Sequence, residues 1–105
     1  LVLTHGEAVA LGCAMAFRYS ATLGLCPDAD VKRAVSGLAA AGLPTRLAEV
    51  GEAGAGALVR RMTGDKKVED GHLTLILVRG IGQAFVERTV DAVRLAGFLR
   101  TEGAR

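Results

Sequence analysis

The first residue whose type and position suit chemistry is His5, which follows Thr4 at the start of an apolar stretch. Thr4 followed three residues later by Glu7 is a capping box, so we expect an α-helix to begin near His5. In the first turn of a helix the dipole disfavours the protonated imidazolium, and a neutral imidazole is the form that binds a metal ion. The sequence therefore offers His5 as a metal ligand, with an ordinary surface histidine as the alternative.

Glu7 has two interpretations. Its carboxylate can orient a metal-bound His5, as carboxylates beside metal ligands commonly do, but the capping box explains Glu7 without any metal. The only other histidine, His72, follows Asp70-Gly71 and is expected to be an exposed turn residue. Because a catalytic zinc generally has three protein ligands, His5 alone cannot hold the ion.

A second candidate site is the lysine pair Lys66 and Lys67, which we place in a loop after Gly64. Two adjacent ammonium groups suit a phosphate or carboxylate of a substrate, and a simply solvated loop is the alternative. The pair lacks the upstream glycine and the Ser or Thr of a P-loop. Gly80 and Gly82 resemble the start of a dinucleotide-binding fingerprint, but Phe85 stands where the third glycine should be. We therefore reject both a P-loop at the lysines and a dinucleotide-binding motif at these glycines.

The elements that position these residues follow from apolar periodicity and from helix-ending residues. We predict a helix from His5 to about Leu23 that is buried on most sides, a helix from Pro27 to Gly42, a short helix over Ala57–Met62 and a last helix over Asp91–Arg100. A β-hairpin is predicted from Leu73–Val78 and Ala84–Val86. The expected fold class is mainly α: a helical bundle-like domain of about four helices with one small β-hairpin.

Composition narrows the class of protein. A chain of 105 residues, half of them apolar and 23% charged, is expected to form a single domain, residues 1–105. A net charge of +2 and 4% aromatic residues argue against nucleic-acid binding. The longest apolar run, Ala8 to Phe17, falls short of the ~20 residues that span a bilayer, so no membrane segment is expected.

Two further features concern the setting of the chain. Cys13 and Cys26 are predicted to be free thiols in a reducing compartment, because a helix between them would place them about 20 Å apart. Leu1 is not a start methionine, and the first residues lack the basic flank of a signal peptide. We therefore expect the chain to be a piece of a longer protein.

Five segments, taken in order, resemble the C-terminal half of the 3-dehydroquinate synthase family. They are HGEAVALG at residues 5–12, SATLGL at 20–25, GLP at 42–44, DKK at 65–67 and LILVRGIG at 75–82. The combination is much more specific than any one segment, and it extends over essentially the whole chain. Thr4, where the family often has an apolar residue, and Cys26, where it often has a capping serine, are mild departures.

The resemblance implies a cytoplasmic, NAD- and metal-dependent lyase of the shikimate pathway of aromatic amino acid biosynthesis. Such an enzyme converts 3-deoxy-arabino-heptulosonate 7-phosphate into 3-dehydroquinate and phosphate. By this resemblance His5 is one ligand of a zinc or cobalt ion, and Lys66 and Lys67 line the pocket for the phosphorylated sugar acid, without a choice between them. No catalytic residue is assigned.

The same resemblance places the NAD-binding domain and the other two metal ligands upstream, outside this chain. The isolated chain is therefore expected to be inactive, with neither NAD nor metal tightly bound, and the full enzyme is compatible with a homodimer. Two alternatives stay open. One is a related sugar-phosphate cyclase of secondary metabolism, and the other is a non-enzymatic helical module whose apolar first helix docks on a protein partner.

Overall fold

The computed structural model describes residues 4–46 and 72–102, without the side chains of residues 5 and 72–74. Its elements are α1 (His5–Thr22), α2 (Asp28–Ala40), β1 (His72–Val78), β2 (Ala84–Asp91) and α3 (Ala92–Thr101). The protein is mainly helical with one small two-stranded sheet, as predicted. The expected count of about four helices is not matched, because the described residues contain three. The predicted helix at Ala57–Met62 and the lysine loop lie outside them.

Helix α1 begins and ends at the predicted residues. Thr4 is its N-cap, and Gly24 adopts the left-handed conformation, φ 78°, just beyond its C-cap Leu23. The Leu25 amide then donates to the Ser20 carbonyl at 2.9 Å, as in a helix end closed by glycine. Among residues 6–22 only four are exposed, at positions 6, 9, 13 and 22. The prediction of a helix buried on most sides is confirmed.

Helix α2 lies at the periphery, since none of its residues is fully buried. Its first turn carries Asp28 and Asp30, where negative charge is favourable at the positive end of the helix dipole. Pro27 was predicted at the first helical position but is the N-cap, with extended backbone angles of φ −64° and ψ 144°. The helix therefore starts at Asp28, one residue later than predicted.

Strands β1 and β2 form the predicted antiparallel hairpin, with Leu77 opposite Phe85 and a shift in register between Leu73 and Leu75. Strand β2 continues to Asp91, five residues beyond the predicted end at Val86. His72, predicted to be a turn residue, is the first residue of β1, and its backbone pairs with Asp91. The β-branched residues of 86–90 suit a strand, and the longer β2 leads directly into α3.

Each of the first two helices holds the hairpin by one side chain. The buried Ser20 hydroxyl of α1 accepts a hydrogen bond from the Val78 amide at 2.9 Å. The Asp30 carboxylate of α2 accepts one from the Ile81 amide at 3.1 Å. The approach of α2 is close enough that a Cβ atom added at Gly80 would lie 2.6 Å from Asp30 Oδ2.

The hydrophobic core lies between α1, the inner face of the hairpin and α3. It comprises Ala8, Leu11, Met15, Tyr19, Leu75, Leu77, Val90, Leu95 and Leu99. The rings of Tyr19 and Phe98 pack in a tilted arrangement, with 4.9 Å between their centroids and 49° between their planes. The arrangement differs from the predicted helical bundle because strand residues occupy the middle of the core. None of the described helices combines the length and apolar character required to cross a bilayer.

Candidate functional site

The first turn of α1 holds the predicted metal ligand His5 in a fully formed capping box. The Thr4 amide donates to Glu7 Oε1 at 3.0 Å, and the Glu7 amide donates to Thr4 Oγ1 at 3.1 Å. The Ala8 amide donates to the Thr4 carbonyl at 3.0 Å. The backbone of His5 therefore lies in a helical turn that is stabilised by three hydrogen bonds, two between Thr4 and Glu7 and one between Thr4 and Ala8. The imidazole of His5 is not among the side chains that the structure describes.

The Glu7 carboxylate therefore has a structural role that is independent of any metal. The hydrogen bond from the Thr4 backbone amide, followed by the one from the Thr4 side chain, lowers the pKa of Glu7 below its usual value of 4.5. Negative charge at this position also complements the helix dipole. The capping role predicted for Glu7 is confirmed, and its proposed role in orienting His5 stays a prediction.

The buried side of α1 anchors this turn to the rest of the protein. Ala8 and Leu11, one and two turns along the helix, are 6% and 0% exposed and belong to the common core with β1 and α3.

The two cysteines are both free thiols, of which Cys13 is exposed and Cys26 is buried. The prediction of two unpaired cysteines is confirmed. Burial, followed by the nearby Asp30 and Asp28 charges, raises the pKa of the Cys26 thiol.

The described part of the chain does not complete a metal site. It contains no group of three or more His, Cys, Asp or Glu side chains placed to hold an ion. Lys66 and Lys67 lie outside the described residues, so the structure neither joins them to His5 nor separates them from it.

An ion-pair cluster that the sequence did not predict joins α1 to the end of α3. Arg18 Nη1 lies 2.8 Å from Glu102 Oε1, and Arg46 Nη1 lies 3.9 Å from Glu102 Oε2. The side chains of Arg18 and Glu102 are only 12% and 9% exposed. Arg18 could have been noticed from the sequence, because it is the single Arg or Lys within the long apolar helix α1. Its partner, 84 residues away, has no such signal.

Comparison with known proteins identifies the family. The family model described as "3-dehydroquinate synthase C-terminal" matches residues 1–68. The chain belongs to the 3-dehydroquinate synthase C-terminal family. The matched range includes the predicted site residues His5, Glu7, Lys66 and Lys67, and it ends before the hairpin.

Curated relatives of this family extend the match through the hairpin and α3. A 3-dehydroquinate synthase of Caulobacter vibrioides is 53% identical over 104 residues, which cover 97% of this chain and 28% of that protein. Those of Mesorhizobium japonicum and Paracoccus denitrificans are 49% and 47% identical over 93% and 89% of the chain, and each is covered to 26% of its length. The chain thus spans little more than a quarter of the relatives that it matches. No solved structure matches it significantly.

Proposed function

We propose that this chain is the C-terminal part of a 3-dehydroquinate synthase, a phosphate-eliminating lyase that uses NAD and a divalent metal. The observation that carries the proposal is the family match over residues 1–68, together with 53% identity to a relative of that name. The substrate would be 3-deoxy-arabino-heptulosonate 7-phosphate and the products 3-dehydroquinate and phosphate. NAD and most of the catalytic groups would belong to the polypeptide upstream of Leu1.

His5 would contribute one of the metal ligands, and zinc or cobalt is the metal that we propose. The formed capping box supports this role, because it places His5 in the first turn of α1, where the helix dipole favours the neutral imidazole. A bound divalent ion would polarise substrate oxygens as a Lewis acid. By the family resemblance, the remaining ligands would be supplied by the polypeptide upstream of this chain.

Lys66 and Lys67 would bind the anionic groups of the substrate. Their ammonium groups are hydrogen-bond donors with a compact positive charge, which suits phosphate and carboxylate oxygens. Both residues lie within the range that matches the family. A chain that holds one metal ligand and these two lysines forms one wall of a site, so the chain alone would be inactive.

The test of the His5 assignment is a chimera in which this chain replaces the matching C-terminal region of the Caulobacter relative. We expect the chimera to release phosphate, to form 3-dehydroquinate and to retain one divalent ion per chain, measured by elemental mass spectrometry. His5→Ala should abolish turnover and greatly weaken metal retention, while His72→Ala serves as the histidine control. An active His5→Ala variant that retains its metal would show the ligand assignment to be wrong.

The lysines are tested in the same chimera. Lys66→Ala or Lys67→Ala should raise the KM for the phosphorylated substrate at least tenfold, a loss of about 1.4 kcal/mol of binding, without loss of bound metal. Lys32→Ala, at an exposed position on α2, is the matched control for loss of one positive charge. If both variants behave like Lys32→Ala, the lysines do not line the pocket.

A further inference from the structure

Asp91 joins the last strand to the last helix. Strand β2 ends at Asp91 and α3 begins at Ala92, with no residue between them. The Asp91 carboxylate caps the helix, because its Oδ1 accepts hydrogen bonds from the Val93 amide at 2.9 Å and the Arg94 amide at 3.2 Å. An N-cap side chain satisfies amides that have no partner within the helix. The backbone at Asp91 is therefore fixed by the start of α3.

The backbone of Asp91 is also paired with His72, the first residue of β1. This pair and the next one, Leu73 with Val90, lie beyond the register shift between Leu73 and Leu75. The shift separates the two pairs from the regular part of the hairpin. The start of β1 therefore depends on residues 90 and 91 more than on the hairpin as a whole.

Residues 90 and 91 are held in place by buried groups around them. Val90 is 4% exposed, and Leu95 and Leu99 of α3 are 2% and 4% exposed. All three belong to the core that α3 shares with α1 and β1. The far end of α3 is joined to α1 by the ion pair of Arg18 and Glu102. Helix α3 is thus a fixed support for the end of β2 and, through the strand pairing, for the start of β1.

The start of β1 follows closely after the two lysines in the sequence. His72 is five residues after Lys67, whereas Arg46, where the preceding described part of the chain ends, is 20 residues before Lys66. Five residues reach at most about 18 Å when fully extended. The backbone of His72 is therefore the nearest described anchor for the lysine pair, and its position limits where the pair can lie.

We propose that Asp91 is a positioning residue for substrate binding, which acts through the His72 backbone on the placement of Lys66 and Lys67. This inference rests on the proposed function, under which these lysines bind anionic groups of the substrate. Binding is weakened when groups must first be ordered in the bound arrangement. Loss of the Asp91 cap should therefore weaken substrate binding and leave the chemical step unchanged.

The test compares two kinds of substitution at Asp91 in the chimera with the Caulobacter relative. Asp91→Ala removes the side-chain acceptor, whereas Asp91→Ser and Asp91→Asn retain one, since Ser and Asn are also good N-caps. We expect Asp91→Ala to raise the KM for the phosphorylated substrate at least fivefold, with kcat within twofold of the parent and bound metal unchanged. Asp91→Ser and Asp91→Asn should keep the KM within twofold of the parent.

Two results of this comparison would overturn the inference. One is a parental KM in Asp91→Ala. The other is a KM in Asp91→Asn as high as that in Asp91→Ala, because asparagine retains the cap and loses only the charge.

Ser20→Ala separates positioning from general stability. Ser20 accepts a hydrogen bond from the Val78 amide at the opposite end of β1, so its loss weakens the hairpin far from His72. We expect Ser20→Ala to lower the Tm of the chimera and to leave the KM within twofold of the parent. An equal rise of the KM in Ser20→Ala and Asp91→Ala would mean that Asp91 acts through stability alone, against the inference.

A second measurement does not depend on turnover. Hydrogen exchange followed by mass spectrometry should be at least ten times faster at residues 72–73 in Asp91→Ala than in the parent chimera. Unchanged exchange there would contradict the inference even if the chimera were inactive.

The lysine variants show which proposal fails. A raised KM in Lys66→Ala or Lys67→Ala, beside a parental KM in Asp91→Ala, would contradict this inference alone. Parental KM values in both lysine variants would contradict the lysine assignment of the proposed function, and the role of Asp91 would be refuted with it.

Discussion

At the scale of single residues, two carboxylates of this chain take their hydrogen bonds from residues close to them in sequence. Glu7 accepts from Thr4, and Glu87 accepts from the hydroxyl of Thr89 at 2.7 Å and from its amide at 3.1 Å. These bonds favour the ionised form, so the pKa of Glu87 lies below its usual value of 4.5, chiefly because of the Thr89 side chain. The charge of each carboxylate is thus supported locally.

Replacing Thr89 by valine tests this at Glu87. Thr89→Val should raise the pKa of Glu87 towards 4.5, measured by the pH dependence of its carboxyl ¹³C shift. A lowered native-state pKa stabilises the fold above pH 4.5, and that contribution is lost as pH falls through the native-state value. The Tm difference between parent and variant should therefore change between neutral pH and about pH 3.

The control for this prediction is Thr101→Val, because the Thr101 hydroxyl donates to the Phe98 carbonyl and not to a carboxylate. That variant should leave the titration of Glu87 unchanged. Valine suits a strand as well as threonine does, so the informative quantity is the pH dependence and not the absolute Tm. An identical Glu87 titration in Thr89→Val and the parent would contradict the assignment.

At the scale of elements, the hairpin depends on the two helices that precede it. A two-stranded hairpin alone is marginal in water, and this one presents the Val78 amide towards α1, where the Ser20 hydroxyl accepts it at 2.9 Å. Ser20 is 0% exposed, so no water can replace it without rearrangement. The hydroxyl thus stabilises the end of β1 by satisfying a buried donor.

Ser20→Ala should destabilise the protein by about 1–3 kcal/mol, the cost of an unsatisfied buried amide. The measurement is urea unfolding followed by circular dichroism. Ser36→Ala is a matched change on an exposed face of α2, and it should stay within about 0.5 kcal/mol of the parent. Equal midpoints for the two variants would show that the Ser20 hydroxyl contributes nothing to stability.

Local sequence signals predicted most of these elements, and contacts between distant residues were the part that they could not supply. The capping box of Thr4 and Glu7 and the left-handed Gly24 act within one turn, so both ends of α1 were predictable. The pairing of Ser20 with Val78 spans 58 residues, and no local pattern encodes it. Strand β2 was predicted too short because its polar residues 87–89 interrupt the apolar signal, while backbone pairing with β1 continues past them.

The candidate site was predictable only as separate pieces. His5 and Glu7 lie on the helix start that the sequence indicated, and the capping function of Glu7 followed from its spacing alone. Motif likeness pointed to Lys66 and Lys67, but a metal or substrate site is an arrangement in space. Spacing along the sequence does not show which distant side chains meet in the folded protein.

At the scale of the whole molecule, a partly buried ion pair joins the first described helix to the last. Arg18 and Glu102 are 84 residues apart and meet at 2.8 Å. Arg18 Nη2 is buried and has no hydrogen-bond partner among the described atoms. Breaking a largely buried pair leaves an uncompensated charge, which is more costly than loss of a surface pair.

Arg18→Met should therefore destabilise the protein by about 2–3 kcal/mol and speed hydrogen exchange of the last amides of α3. Arg88→Met, at an exposed position of β2, is the matched control and should be nearly neutral. Loss of stability in both variants alike would mean that the ion pair does not hold α3 against α1.

The short distance between α2 and the hairpin turn has an evolutionary consequence. Any side chain at position 80 would start 2.6 Å from Asp30 Oδ2, so it would displace the carboxylate from the Ile81 amide. Glycine at position 80 therefore preserves the hydrogen bond between the Ile81 amide and the Asp30 carboxylate. In a relative without an aspartate at position 30, a side chain at position 80 would meet no carboxylate there. We therefore expect the residues at positions 30 and 80 to vary together.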